Sequence, residues 1–110
     1  MQKDSIDIYL GTQVPDGGRT FTTEEVRQEI LRHLTQSEIG FSLSEQVGGY
    51  LHADGSFIIE DSIRISLVDP PEDAVLTALV AHLKEYFHQE AVLLVKTRLD
   101  ANYYRDGICL

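Results

Sequence analysis

The start of the chain alternates apolar and polar side chains with the period of a β-strand that buries one face. In "SIDIYL", residues 5–10, the apolar positions are Ile6, Ile8 and Leu10. Turn-forming residues follow, and Thr22 with Glu25 then makes a capping box. A helix is therefore predicted to begin near Thr23, with an apolar stripe made of Val26, Ile30, Leu31 and Leu34.

The segment "GGYLHADGSFIIEDSIRISLV" has the pattern of two strands joined by a tight turn. Asp54 and Gly55 suit a two-residue hairpin turn, so the flanking strands are predicted to pair antiparallel. Gly48 and Gly49 indicate a bulge or bend in the strand before the turn. In the strand after the turn, Asp61 is expected at a bulge or at the rim of the core. The second strand is predicted to direct inward Ile59, Ile63, Ile65 and Leu67. Its outward polar residues are then Glu60, Ser62, Arg64 and Ser66.

The second half of the chain predicts one more helix and one more strand. "DPPE", residues 69–72, is typical of a helix N-terminus, because proline fits the first turn and acidic residues favour the positive end of the helix dipole. "AVLLVKTRL" has the composition of a strand, and residues 100–110 are predicted to be an extra strand or a flexible tail.

The resulting order is strand, helix, strand, strand, helix, strand. This order predicts a single domain over residues 1–110 with a ferredoxin-like βαββαβ sandwich, in the α+β class. Such a fold has a four-stranded antiparallel sheet in the order 4-1-3-2, with both helices on one face.

The helix-free face of this sheet is the predicted functional surface, because the first and third strands are central neighbours there. The candidate ligand- or partner-binding residues are Tyr9, Glu60, Arg64 and Ser66, with Arg19 of the glycine-rich "PDGGRT" loop as a fifth. One charge, several hydroxyls and an aromatic ring suit a small polar ligand or a protein surface. The competing interpretation is a cross-strand ion pair on a solvated sheet.

Charge and composition exclude several classes of function. The chain of 110 residues has 43% hydrophobic residues and a formal net charge of −9, which repels phosphate backbones and anionic lipid. Nucleic-acid and membrane binding are therefore not expected. No apolar run approaches the roughly 18 residues needed to cross a bilayer, and "MQKDSIDIYLGTQ" lacks the pattern of a signal peptide. We expect a cytoplasmic protein.

No motif predicts catalytic residues, a metal site or a cofactor. The histidines are scattered without ligand spacing, so His33 and His52 are predicted to be solvated. The "PDGGRT" loop lacks both common phosphate-binding glycine patterns. The lone Cys109 lies one residue from the end of the chain, where order is least expected.

Three runs of the sequence carry a family resemblance: "IYLGTQVPDGG", the hairpin "GFSLSEQVGGYLHADGSFIIEDSIRISLV" and "LKEYFHQEAVLLVKTRLDANYY". They resemble a small bacterial family, domain of unknown function 3574. Tyr50 stands where that family has Trp, Arg64 lies one residue after its Lys, and the exported N-terminus of many members is not expected here. The resemblance implies the fold and no activity.

The long hairpin also resembles that of the trimeric PII and CutA proteins, although the phosphate-binding motifs of PII are missing. Because open sheet edges must be paired, covered or charged, the favoured prediction is a non-enzymatic binding or assembly module that self-associates as a dimer or trimer. Two alternatives stay open. One is a small-ligand sensor or small enzyme that uses the polar sheet face. The other is an acidic inhibitor of a basic partner protein.

Overall fold

The computed structural model describes residues 2–12, 20–102, 104–105 and 108–109. Its helices are α1 (Thr23–Gln36) and α2 (Asp73–Tyr86). Its main strands are β1 (Gln2–Gly11), β2 (Ser42–Leu51), β3 (Phe57–Val68) and β4 (Leu93–Asp100), and the tail adds β5 (Tyr104–Arg105) and β6 (Ile108–Cys109). Within these residues, neither helix has the length and hydropathy needed to cross a bilayer.

The four main strands form one antiparallel sheet in the order β2-β3-β1-β4, and β5 pairs with β6 in a separate two-stranded sheet. This confirms the predicted α+β, ferredoxin-like fold. The core lies between the sheet and the helices, because one face of β1 and β3 packs against the apolar stripes of α1 and α2. Its fully buried side chains include Ile8, Leu10, Ile30, Leu34, Ile63, Ile65, Leu67, Leu83 and Phe87.

Helix α1 begins where the capping box predicts. The backbone N–H of Glu25 donates to Thr22 Oγ1, and the backbone N–H of Thr22 donates to Glu25 Oε1, both at 3.1 Å. These two bonds satisfy donors that have no partner within the helix. The pattern of residues 69–72 predicts that proline lies in the first turn of α2. The helix begins at Asp73, so Pro70 and Pro71 precede it.

The turn between β2 and β3 differs from the two-residue turn expected at Asp54-Gly55. The Gly55 N–H donates to the His52 carbonyl at 3.0 Å, and the His52 N–H donates to the Ser56 carbonyl at 2.9 Å. The loop therefore contains Ala53, Asp54 and Gly55, and only Gly55 has a positive φ, of 89°. This geometry is a type I turn closed by a glycine in the left-handed region. Ser56 donates two hydrogen bonds to Asp54 Oδ1, which lower the pKa of that carboxyl.

The longer loop sets the register of the whole hairpin. It pairs Leu51 with Phe57 and Leu43 with Ile65, so that apolar residues of both strands share the helix-facing side near the core. A two-residue loop would shift the pairing by one and place Leu43 opposite a polar residue. Hydrophobic packing therefore favours the extra loop residue.

Ile59 does not face the core as predicted, since it is 68% exposed. It has the same parity as Ile63 and Ile65, but it lies at the level of the α1 N-terminus, where it lines an open surface together with Thr22 and Thr23. Asp61 is likewise exposed on the helix-facing side, without a bulge. The exposed apolar residues on this side of the hairpin are Val47, Leu51, Phe57 and Ile59.

The predicted bulge at Gly48-Gly49 is also absent, because both residues continue the regular pairing with β3. The two glycines have a different physical role. A Cβ on Gly48 would lie 2.6 Å from the Tyr50 hydroxyl oxygen, and one on Gly49 would lie 2.6 Å from the edge of the Phe57 ring. Each glycine therefore leaves space for an aromatic side chain to lie across the strand.

A polar cluster joins the two helices. The rings of His33 and His82 stack with their centroids 4.2 Å apart. Glu29, which is buried, is bonded by Arg32 and lies 3.5 Å from His82 Nε2. The hydrogen bond from Arg32 lowers the pKa of Glu29, whereas burial followed by the charge of His82 lowers the pKa of His33.

Two substitutions of the same residue type on β3 test the extent of the core. Ile65→Asp places a charge at a fully buried position, and we expect a loss of about 4 kcal/mol or more in the free energy of unfolding. Ile59→Asp changes an exposed side chain and should alter that free energy by at most about 0.5 kcal/mol. Urea denaturation of both variants measures the difference, and equal destabilisation would contradict the exposed position of Ile59.

The helix cluster makes stability depend on pH. The pKa of His33 is below its ordinary value of 6.5, so the unfolded chain takes up this proton first as the pH falls. Stability is therefore fully present above about pH 6.5 and is lost as the pH falls through the lower, folded-state pKa. Glu29 adds a second loss below its ordinary value of 4.5. We expect His33→Gln to reduce the first loss and retain the second, as measured by urea midpoints across this pH range. An unchanged pH dependence would contradict this assignment.

Candidate functional site

The structure divides the predicted polar face into two parts. In the first part, Ser66 donates to Asp7 Oδ1 at 2.7 Å, and Arg64 Nε donates to Ser66 Oγ at 3.2 Å. Arg64 Nε also lies 3.9 Å from Asp7 Oδ1. These three side chains satisfy one another across β1 and β3, so this part has the cross-strand ion pair of the competing interpretation.

The second part lies toward the hairpin and is buried. Glu60 is only 6% exposed and Ser62 is fully buried, although both are on the sheet face that the helices leave open. The Tyr50 hydroxyl donates to Ser62 Oγ at 3.2 Å, so its side chain lies back over Gly48. These side chains are covered by other parts of the protein and do not form a solvated surface.

Gly11 provides the space that the Glu60 carboxyl group occupies. A Cβ at residue 11 would lie 2.7 Å from Glu60 Cδ, too close for any side chain to be added without a shift. Gly11 pairs with Ser62 across β1 and β3, which places it beside Glu60 on the open face. The position of the buried carboxylate therefore depends on a glycine in the neighbouring strand.

Gly11, Tyr50 and Glu60 line a pocket of about 290 Å³ at the end of the sheet. One wall consists of Tyr9, Gly11 and Glu60 from the central strands. Tyr50, Leu51 and His52 at the end of β2 form the second wall, and the third consists of residues 89–92 between α2 and β4 together with Leu93 at the start of β4. The volume is at the small end of the range for ligand sites in proteins.

The hairpin end is joined to the third wall by Glu90. Its Oε1 accepts a hydrogen bond from the Ala53 N–H at 2.9 Å and lies 3.2 Å from His52 Nδ1. The His52 side chain is only 10% exposed, so the prediction that it is solvated is wrong. The contact between distant segments closes the pocket at this side.

The pocket has an acidic and aromatic character. Two carboxylates, Glu60 and Glu90, line it with two tyrosine rings, and its described lining includes no lysine or arginine. Such a lining suits a cation with an apolar body, because carboxylates and tyrosine faces both attract positive charge. Among the described residues, no three His, Cys, Asp or Glu side chains are grouped to hold a metal ion.

The sequence-predicted site is only partly assembled. Tyr9 and Glu60 come together in the pocket, Arg64 and Ser66 lie outside its lining, and Arg19 falls outside the described residues. The sequence did not single out Tyr50, His52 or Glu90 as site residues. The sequence pointed to this site only indirectly. A glycine within a strand, as at positions 11 and 48, often marks a place where another group lies close to the backbone.

Comparison with solved structures finds the same fold in an enzyme. A phage SAM lyase in complex with S-methyl-5′-thioadenosine is 25% identical, with a TM-score of 0.68 over 94% of this chain and 93% of that chain. The phage SAM lyase in its apo state is 24% identical, with a TM-score of 0.64 over 94% of both chains. The similarity to the ligand-bound lyase points to an enzymatic function. The favoured prediction of a non-enzymatic assembly module is therefore wrong.

The sequence comparison identifies the family. The model for the protein of unknown function DUF3574 matches residues 5–103. The chain belongs to this family, which confirms the resemblance noted in its hairpin and loop motifs. No curated protein matches the sequence significantly, and the likeness to PII and CutA is not shown.

A pair of glycine substitutions tests how the Glu60 carboxyl group is positioned. Gly11→Ala must displace it, and because it is at the flexible end of a side chain, we expect the fold to be retained while the pocket changes. Gly40→Ala is the matched control, since its added Cβ meets no atom within 4 Å. Crystal structures of both variants measure the position of Glu60. An unmoved carboxylate in Gly11→Ala would contradict the packing described.

Proposed function

From its membership of DUF3574 and its similarity to a ligand-bound SAM lyase, we propose that this protein is an enzyme that cleaves S-adenosylmethionine (SAM), or a closely related sulfonium nucleoside. The product is S-methyl-5′-thioadenosine. The observation that carries the proposal is the pocket, in which the buried Glu60 lies with Tyr9 and Tyr50 at the end of a sheet whose fold the lyase shares.

Charge favours a sulfonium ligand over a phosphorylated one. SAM carries one more positive than negative charge at neutral pH, whereas nucleotides carry several negative charges. The pocket presents Glu60 and Glu90, and the whole chain has a formal net charge of −9. A negative potential of this kind attracts cations and repels phosphates.

The remaining walls suit the uncharged parts of such a ligand. Leu51, Val92 and Leu93 provide apolar surface, and the tyrosine rings provide flat faces against which a base or a sulfonium group can pack. A pocket of about 290 Å³ accommodates a small nucleoside more readily than a dinucleotide.

The proposed reaction breaks the bond between the sulfonium sulfur and the aminobutyrate chain. The sulfur retains the two bonding electrons and becomes a neutral thioether, so the positive charge disappears. The carbon chain becomes neutral at that position by one of two balanced routes. Either a base removes a proton from the adjacent carbon and a double bond forms, or the substrate's own carboxylate forms a new C–O bond and closes a lactone. Analysis of the second product distinguishes the routes.

We assign Glu60 to substrate binding. A carboxylate beside the sulfonium attracts the reactant more strongly than the transition state, because the charge on sulfur decreases during cleavage, so this attraction alone does not accelerate the step. Its benefit is selective capture of the cationic substrate and release of the neutral thioether. In the first of the two routes, we propose that Glu60 also accepts the proton.

The first test is direct. Purified full chain incubated with SAM should form S-methyl-5′-thioadenosine, detected by liquid chromatography and mass spectrometry. We expect Glu60→Gln to raise the KM for SAM about 10- to 100-fold, because a buried charge pair is lost. Inhibition by S-methyl-5′-thioadenosine should change less than about 3-fold, since this thioether has no charge to pair.

The exposed Glu85 on α2, which does not line the pocket, provides the matched control. Glu85→Gln should leave both constants unchanged. No formation of the thioether by the wild-type chain, together with no binding of SAM, would overturn the proposed function. Equal losses for SAM and the thioether in Glu60→Gln would overturn the assigned role of Glu60.

Self-association as a dimer or trimer and a cytoplasmic location stay predictions of the sequence. Light scattering of the full chain measures the first, and fractionation of the source cells measures the second.

A further inference from the structure

The Tyr50 side chain lines the pocket from a strand that has no buried residues. β2 is an edge strand of the main sheet, and each of its side chains is exposed or half-buried. Tyr50 is half-buried, and the next residue, Leu51, is 72% exposed. The position of the tyrosine ring therefore depends on particular contacts and not on a packed core around its own strand.

Ser62 provides one of these contacts from the centre of the sheet. It lies on β3, between β2 and β1, and its side chain is fully buried. The Tyr50 hydroxyl donates to Ser62 Oγ at 3.2 Å. Because Ser62 pairs with Gln46, the tyrosine side chain extends back along its own strand to reach it. The hydrogen bond therefore joins a ring on an edge strand to a buried position on a central strand.

Gly48 provides the space through which the ring passes. A Cβ on Gly48 would lie 2.6 Å from the hydroxyl oxygen of Tyr50 and 2.8 Å from its Cζ, so the ring lies close against the backbone of β2. Gly48 pairs with Glu60, which places the ring beside the strand position of that carboxylate. Tyr50 and Glu60 both line the pocket, whereas Ser62 is not part of the lining.

We propose that Ser62 is a positioning residue of the pocket, and that it holds the Tyr50 ring against Gly48 as a wall for the nucleoside. This inference rests on the proposed function and assigns part of its binding affinity to a residue outside the pocket lining. A ring that is already fixed before the ligand arrives does not have to be ordered during binding. Without the bond to Ser62, the ring is free to occupy other rotamers that do not form this wall.

The experiment measures binding of S-methyl-5′-thioadenosine to the full chain by isothermal titration calorimetry. Ser62→Ala and Tyr50→Phe break the same hydrogen bond and retain the ring, so each should weaken binding about 3- to 10-fold. The double variant should bind within about 2-fold of the weaker single variant, because the bond can be lost only once. Gly48→Ala displaces the ring itself and should weaken binding at least about 10-fold.

Two matched controls separate the position of the ring from a general loss of stability. Gly49→Ala also crowds an aromatic ring, since its Cβ would lie 2.6 Å from Phe57, but neither residue lines the pocket. Thr12→Val also removes a buried hydroxyl, which donates to the Asp61 carbonyl at 3.0 Å outside the pocket lining. Both variants should bind the thioether within about 2-fold of the wild type.

Cleavage kinetics distinguish positioning from a structural role. Ser62 touches no reacting atom in this assignment, so Ser62→Ala should raise the KM for SAM about 3- to 10-fold and change kcat less than about 3-fold. A purely structural role would instead lower the urea midpoint and leave both the KM and the affinity for the thioether unchanged. Thr12→Val is expected to behave in that second way.

Unchanged binding of the thioether by folded Ser62→Ala would overturn the inference, and additive losses in the double variant would do the same. A loss in Tyr50→Phe alone would show that the hydroxyl contacts the ligand directly, which also contradicts it. If Ser62→Ala does not fold, Tyr50→Phe and Gly48→Ala decide, with weaker binding in both supporting the inference and unchanged binding in either overturning it. In all these cases SAM cleavage by the wild type would leave the proposed function intact. A wild type that neither binds the thioether nor cleaves SAM would overturn both.

Discussion

The antiparallel pairing of β1 with β3 is the constraint on which the rest of the structure depends. Ile8 lies opposite Ile65, and the same register places Gly11 opposite Ser62. Since side chains alternate between faces, a single register buries the isoleucines under the helices and also brings Gly11 beside Glu60 on the other face. A slip of one residue would expose the core and separate the pocket residues at the same time. Fold and site are therefore specified together.

The open face of the sheet becomes a pocket because two distant segments meet over it. The hairpin end and the loop before β4 are joined through Glu90, which bonds Ala53 and lies beside His52. Space for the interior groups comes from glycines, with Gly11 under Glu60 and Gly48 under Tyr50. The result is a buried carboxylate among aromatic rings at a position where an open antiparallel sheet is usually solvated.

The buried ring of His52 reduces stability, because a polar group that is buried without a partner costs free energy. The unsatisfied ring of His52 contrasts with Glu29, whose buried carboxylate is bonded by Arg32 and is in contact with His82. The helix cluster is satisfied internally and contributes to stability near neutral pH. The ring of His52 is not, and buried polar groups without a partner are rare in native proteins. The negative net charge of the chain also attracts cations from a longer distance.

The sequence by itself determined the order of elements, the capped start of α1 and the parity of β1 and β3, because these follow from local capping chemistry and from the two-residue period of a strand. It also brought Tyr9 and Glu60 to the same face. Only the tertiary structure decided how far the helices cover the hairpin, which leaves Ile59 exposed although its parity matches Ile65. The turn gained a residue because packing of Leu43 against the core outweighs the local preference of Asp54-Gly55. His52 is buried because Glu90, far away in the chain, lies beside it. Arg64 lies outside the pocket lining and contacts Ser66 and Asp7. Periodicity reports which face a side chain occupies, whereas burial on that face depends on what packs over it.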